Sequence, residues 1–407
     1  MNNLWNWLIE KFFGELKKAA RNALGKSASK QLRFSLSNAE PVFRSFGDFE
    51  SGKGQLTALS SGVNKDFAWR VQANRRYHPL DGQTINYDGS YISAIWGNWA
   101  TTLGSVEQWW GPSWDAANLL SNNARPTVAL RLQRNYSDAS ELPILNWIGR
   151  WNFSGFIGAL SDQRMTDHPY LAGAHFSAKP LDSVETSLAM TSLMGGAQKL
   201  GERRLDINYQ DQKRQVAFDI SWQINQDLKF IPIATKIYAS LMDDNSGADY
   251  SSVLFGFSSQ LPWLGGWRIF LEHSETLAAP SRYNLTYEDQ IYQTGYRFYQ
   301  RSIGSSYDAD SKVTSLGLMS QISYFQWLSI KLQNIHINQA GNNSPIDLRH
   351  SINPKAVNAK RLLVKWRYRL NKEQQLNLEF DYSDKLISAN IRENERVRLM
   401  IGWVLQF

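Results

Sequence analysis

The sequence predicts an all-β transmembrane barrel of about eighteen antiparallel strands, with an N-terminal α-helix acting as a periplasmic plug. Three observations predict it. The first is the final stretch, Arg396 to Phe407, in which Val397, Leu399, Ile401, Trp403, Leu405 and Phe407 are apolar and the residues between them are mixed. That alternation gives one greasy face and one face suited to a polar lumen. The second is its recurrence along the chain: Val128, Leu130, Leu132, then Val216, Phe218, Ile220, Trp222, then Leu362, Val364, Trp366, Tyr368. The third is the charge on the opposite faces. Lys365, Arg367 and Arg369 share one face, and Glu379 and Asp381 share the facing one. A half-buried strand of a soluble sandwich alternates in the same way, but it would have to bury such charges in a dry core. A lumen lets them pair across neighbouring strands.

Taken in order, residues 1–30 hold an amphipathic helical pattern, with Leu4, Leu8, Phe12, Leu16, Ala19 and Ala20 at three- and four-residue spacing. A helix packed on its own protein, a membrane-surface helix and a plug at the periplasmic mouth all fit. The barrel that follows favours the plug. Residues 31–54 are expected to connect plug to barrel, and 55–407 to form the barrel. Its strands are expected near 55–63, 66–77, 86–96, 99–108, 127–136, 147–160, 171–179, 183–193 and 203–210. The remainder fall near 214–224, 233–242, 251–260, 267–275, 312–323, 328–338, 359–370, 374–384 and 396–407. An even count leaves both chain ends in the periplasm. It also makes 276–311 one large extracellular excursion and puts 107–126 on the periplasmic side or in the lumen.

The 407 residues contain no apolar run long enough for a transmembrane helix. With 16 Trp and 17 Tyr, the chain has enough aromatics for two interfacial girdles. No cysteine is present, which excludes disulfides and thiolate metal sites. The formal charge of +7 suits anionic partners such as lipopolysaccharide or acidic polysaccharide. Residues 1–10 lack the features of a secretory signal, so the chain is expected to begin after one or to be truncated. The six histidines form no metal-like pair, and His273 points away from its neighbour Glu272 if both lie on a strand. No catalytic constellation, metal site or cofactor is implied, and no nucleic-acid partner. The expectation is a non-enzyme and a monomer.

Three stretches stand out: Glu40–Asp48 (EPVFRSFGD), Glu107–Pro126 (EQWWGPSWDAANLLSNNARP) and Gly295–Ser315 (GYRFYQRSIGSSYDADSKVTS). With these segments the chain, from Glu40 to Phe407, resembles the capsule assembly Wzi family. The resemblance implies an outer-membrane barrel with a helical plug on the periplasmic side, acting as a lectin that attaches capsular polysaccharide to the cell surface. A porin or sugar channel is the alternative. The residues have their own reading. Within loop 276–311, Tyr292, Tyr296, Arg297, Tyr299, Arg301 and Tyr307 combine flat aromatic contacts with carboxylate-binding guanidinium groups, which suits an acidic glycan. A loop that packs on itself over the barrel mouth fits too. In the second stretch, Trp109, Trp110, Trp114, Asp115, Asn122, Asn123 and Arg125 are expected to brace the lumen or plug, with Arg125 paired to Asp115 or Glu107. A secondary sugar site is the other possibility.

Overall fold

A computed structural model describes residues 29–48, 52–137, 146–200, 203–228, 231–244, 251–261, 266–277, 283–341, 350–389 and 395–407. The predicted helix, residues 4–24, lies outside them. Among the described residues eighteen long strands form the barrel. The first nine are β1 Ser29–Ser37, β2 Gly54–Val63, β3 Phe67–Tyr77, β4 Tyr91–Trp96, β5 Trp99–Ser105, β6 Val128–Ser137, β7 Arg150–Ala159, β8 Tyr170–Leu181 and β9 Val184–Met194. The second nine are β10 Lys213–Leu228, β11 Ile231–Asp243, β12 Ser252–Leu261, β13 Trp267–Glu275, β14 Lys312–Ser323, β15 Gln326–Ile337, β16 Val357–Arg369, β17 Gln374–Ser383 and β18 Val397–Gln406. Each pairs antiparallel with the next, and β18 returns to β1, with Trp403 opposite Phe34 and Ile401 opposite Leu36. Closure matters because an open sheet edge in hydrocarbon leaves backbone N–H and C=O groups unpaired.

The outward face is the predicted one. Leu399, Ile401 and Trp403 are exposed, while Arg398 and Met400 on the alternate face are buried. The charged faces meet inside: Lys365 lies opposite Glu379 at 3.5 Å. Asp381, however, pairs with Arg361 at 2.6 Å rather than with Arg367 or Arg369. If the outward face meets lipid, Ile401→Arg, midway along β18, should destabilise the barrel by about 2–4 kcal/mol. Urea unfolding in lipid vesicles reads this; an unchanged midpoint would mean that the face is not wetted by hydrocarbon.

Two expectations about strands fail together. Ser29–Ser37 is a full barrel strand, not a connection, with Leu32, Phe34 and Leu36 outward. The predicted strand 203–210 is not in the barrel. Arg203–Asp206 instead pairs with Ala197–Leu200 in a three-stranded sheet completed by Thr166–Asp167. Gly195 and Gly196, at φ 64° and 88°, turn the chain out of β9, so the short Leu205–Tyr209 alternation falls in a loop. The count survives the exchange, but the direction of every strand before residue 203 reverses. Loop 106–127 therefore emerges at the same end as 276–311. That end carries the long connections, among them 38–53, 78–90 and 338–356. Turns 64–66, 97–98, 182–183, 324–325 and 370–373 lie at the other.

Candidate functional site

The described residues of loops 38–53, 106–127 and 276–311 fold back into the lumen and pack on one another. Loop 106–127 is pinned to the barrel wall. Backbone N–H groups of Trp114 and Asp115 donate to the Glu272 carboxylate at 2.5 and 2.8 Å, and Tyr238 O–H donates to it at 2.6 Å. Glu272 is buried inside the barrel and His273 points outward, as the alternation requires.

Asp115 is the centre of the packing. Its carboxylate pairs with Lys331 of β15 and accepts from Tyr307 O–H, from Ser315 Oγ at 2.5 Å, from Gln333 Nε2 at 2.9 Å and from Ser45 Oγ at 3.1 Å. One side chain thus joins all three loops to β14 and β15. Burial pushes the Asp115 carboxyl upward, but the Lys331 ammonium and the donated hydrogen bonds outweigh it and hold the pKa at about 2, below the ordinary 3.8. A depressed pKa stabilises the folded state above the unfolded value and is lost as pH falls through the folded one. Loop docking should therefore be complete above about pH 4 and weaken between pH 4 and 2. Tryptophan emission should shift to the red in that window while far-UV circular dichroism of the strands stays constant. A shift confined to pH above 5 would point to another group.

The other predicted residues of this loop are structural as well. Trp110 is buried and stacks on His175, with ring centroids 5.4 Å apart. Trp109 and Trp114 meet Phe46 edge-on at 5.6 and 6.3 Å. Asn122 Nδ2 donates to the Ser45 carbonyl at 2.9 Å, and Asn123 Nδ2 to that of Ser302 at 3.2 Å. The predicted partners of Arg125 are wrong: Asp115 is taken by Lys331, and Glu107 pairs with Arg44 at 2.6 Å. Arg125 instead grips Asp88 at 2.7 Å and Asp81 at 3.2 Å, with its guanidinium 4.2 Å from the centre of the Tyr299 ring.

Loop 276–311 corrects the expectation of a sugar-facing set. Tyr292, Tyr296, Tyr307, Arg297 and Arg301 are all buried. Arg297 donates two bonds to Asp308, at 2.8 and 2.9 Å, and one to Glu288 at 2.5 Å. Arg301 donates to the Pro41 carbonyl at 2.7 Å and pairs with Glu40 at 3.3 Å. Tyr292 O–H reaches the Asp211 carbonyl at 3.0 Å. The guanidinium groups and the Tyr292 and Tyr307 hydroxyls here are satisfied by neighbouring carboxylates and the loop backbone, because burying a polar group unpaired is costly, whereas the buried Tyr296 hydroxyl makes no hydrogen bond among the described residues. Gly304 permits a close approach between two of the loops, since a Cβ there would lie 2.6 Å from the Asn118 carbonyl.

Of the six, Tyr299 alone is half-buried. It sits at the tip of a small hairpin in which Arg297–Phe298 pairs with Arg301–Ser302. Tyr299 and the exposed Gln300 have φ of 48° and 64°. Two successive positive φ values make this a turn that usually needs Asn-Gly, so the surroundings must hold it in place. Tyr299 N–H donates to Asp162 at 3.0 Å, and Arg164 donates to the carbonyls of Gly295 and Arg297 at 3.2 Å each.

Sequence reasoning missed the wall partners Lys331, Gln333, Tyr238 and Glu272, and the clamp Asp81–Asp88. The polar phase of each alternating strand marks the wall residues as luminal. Nothing local in the sequence says which loop residue each one meets.

The backbone as a whole has solved relatives. Wzi from Escherichia coli, an outer membrane protein involved in group 1 capsule assembly and a carbohydrate-binding β-barrel, superposes with a TM-score of 0.82 at 19% identity, covering 97% of this chain and 86% of that one. OccD3 from Pseudomonas aeruginosa gives a TM-score of 0.52 at 12% identity, covering 94% and 91%. At these identities both likenesses concern the fold. A Klebsiella pneumoniae protein, described as an uncharacterized 55.8 kDa protein in the cps region, is 26% identical over 117 residues, which is 28% of this chain and 23% of that protein. The model of the family described as capsule assembly protein Wzi matches residues 26–395, and the chain belongs to that family.

Proposed function

We propose that the protein is an outer-membrane lectin that binds acidic capsular polysaccharide and attaches the capsule to the cell surface, without catalysis. One observation carries this reading most: a closed barrel whose lumen is filled by its own long loops, which hold a strained aromatic–amide tip, Tyr299–Gln300, at the long-loop end. In barrels of this type the long loops face the exterior and the short turns the periplasm. A rigid tyrosine face above a guanidinium, beside an exposed amide, suits a sugar ring and its hydroxyls. The chain's +7 charge and the exposed Lys355, Lys360, Lys385 and Arg396 give the rim a basic edge. Such an edge suits uronate carboxylates and the phosphates of neighbouring lipopolysaccharide. The relative from Escherichia coli, with the same fold, is itself carbohydrate-binding.

The experiment is retention of soluble capsule from the protein's own strain on the immobilised barrel, against a neutral dextran. Capsule should be held at low salt and released at roughly 0.5 M, where charges more than a few ångströms apart are screened. Tyr299→Ala should weaken retention roughly tenfold, the scale of one lost aromatic contact. Equal retention of dextran, or of capsule by a folded Tyr299→Ala variant, would count against the reading.

A further inference from the structure

Beneath the loop plug, on the side of β1–β4 and β16–β18, lies a polar cavity of about 470 Å³. Its lower lining, including Arg70, Gln72, Arg367, Gln375 and Asn377, is half-exposed and lies towards the short-turn end. Thr57, Asn74 and Asn86 further up are buried. Its ceiling is the Arg44–Glu107 and Arg125–Asp88 pairs. The volume lies within the usual range for a small-ligand site, about 300–1,000 Å³.

The charges in this cavity do not balance locally. All four acids that line it are already paired: Glu107 with Arg44, Asp88 with Arg125, Asp48 with Lys365, and Glu379 with Arg398 and Lys365. Among the described residues no carboxylate pairs with Arg70 or Arg367. Arg70 lies 5.6 Å from the centre of the Tyr91 ring and Arg367 lies 4.7 Å from that of Trp327. Two guanidinium groups, one on β3 and one on β16, in an amide-lined cavity call for an anion that also carries hydroxyls. The geometry points to a second carbohydrate site, inside the lumen and, among the described residues, uncovered at the short-turn end, that binds a short uronate-bearing oligosaccharide through Arg70 and Arg367. The proposed function supplies only the acidity of the ligand; the binding pair Arg70 and Arg367 stands apart from the Tyr299 tip, which meets this cavity only through Arg125 in its ceiling.

The test uses the full chain in detergent at low salt, titrated by calorimetry with digalacturonate, with maltose and with inorganic phosphate. Digalacturonate should bind and maltose should not. Arg70→Gln/Arg367→Gln should weaken digalacturonate binding at least about tenfold, while Tyr299→Ala leaves it unchanged. A double variant that binds digalacturonate as the parent does, or a parent that binds none, overturns the site. Phosphate binding with the same arginine dependence, and no digalacturonate binding, overturns the sugar assignment. Loss of cell-surface capsule retention in Tyr299→Ala, with this titration intact, separates the outer site from the luminal one.

Discussion

Replacing Asp115 with alanine should cost about 3–5 kcal/mol and free the three loops from the lumen, because the substitution leaves the Lys331 ammonium buried without its carboxylate. Tyr307, Ser315 and Gln333 would lose their common acceptor in the same step. The loss should appear as faster proteolysis within 106–127 and 276–311, with the strands still protected. Asp115→Leu combined with Lys331→Met should recover most of it, since a buried pair replaced as a unit by apolar side chains is often neutral. A single Asp115→Ala variant with loops as protected as the parent's would show that the carboxylate does not organise the plug.

Arg297→Ala should have an effect of similar size by the same physics. It strands two buried acids, Asp308 and Glu288, which share one guanidinium. Burial pushes the Asp308 carboxyl upward, yet Arg297 draws it well below the usual carboxylate range. The expected outcome is a cost of about 3–5 kcal/mol and a steady ionic current through lipid bilayers where the parent shows none. Arg297→Lys should restore only part of the closure, because an ammonium cannot make the two parallel bonds to Asp308. A silent Arg297→Ala variant with an unchanged melting profile would contradict this assignment.

The parts of this fold that were legible in the sequence are those where both faces of a strand carry a signature. In β16, β17 and β18 apolar residues alternate with Arg, Lys, Glu and Asp, and the structure puts them on the predicted sides. Ser29–Ser37 was not legible because its Leu32, Phe34, Leu36 alternation follows directly on a helical pattern and reads as its continuation into a connection. Residues 203–210 misled for the opposite reason, since three alternating apolar residues look alike in a barrel strand and in a small loop sheet. The loops show a different limit. Their composition singles out Glu107–Pro126 and Gly295–Ser315, and both do organise the lumen. But tyrosine beside arginine is what a sugar site needs, and it is equally what a dry plug needs. The partners decide between them, and only Arg297, with Asp308 and Glu288, meets partners close in sequence among the pairs named here. Arg301 meets Glu40 and Lys331 meets Asp115 only after the sheet has closed.

The claim on which the account turns is that the long loops fill the lumen, so that the protein holds a polymer instead of passing one. Single-channel recording of the intact chain in planar bilayers tests it most directly. The account predicts no steady conductance at neutral pH. A large, persistent open current from the intact, folded barrel would contradict it and favour a channel.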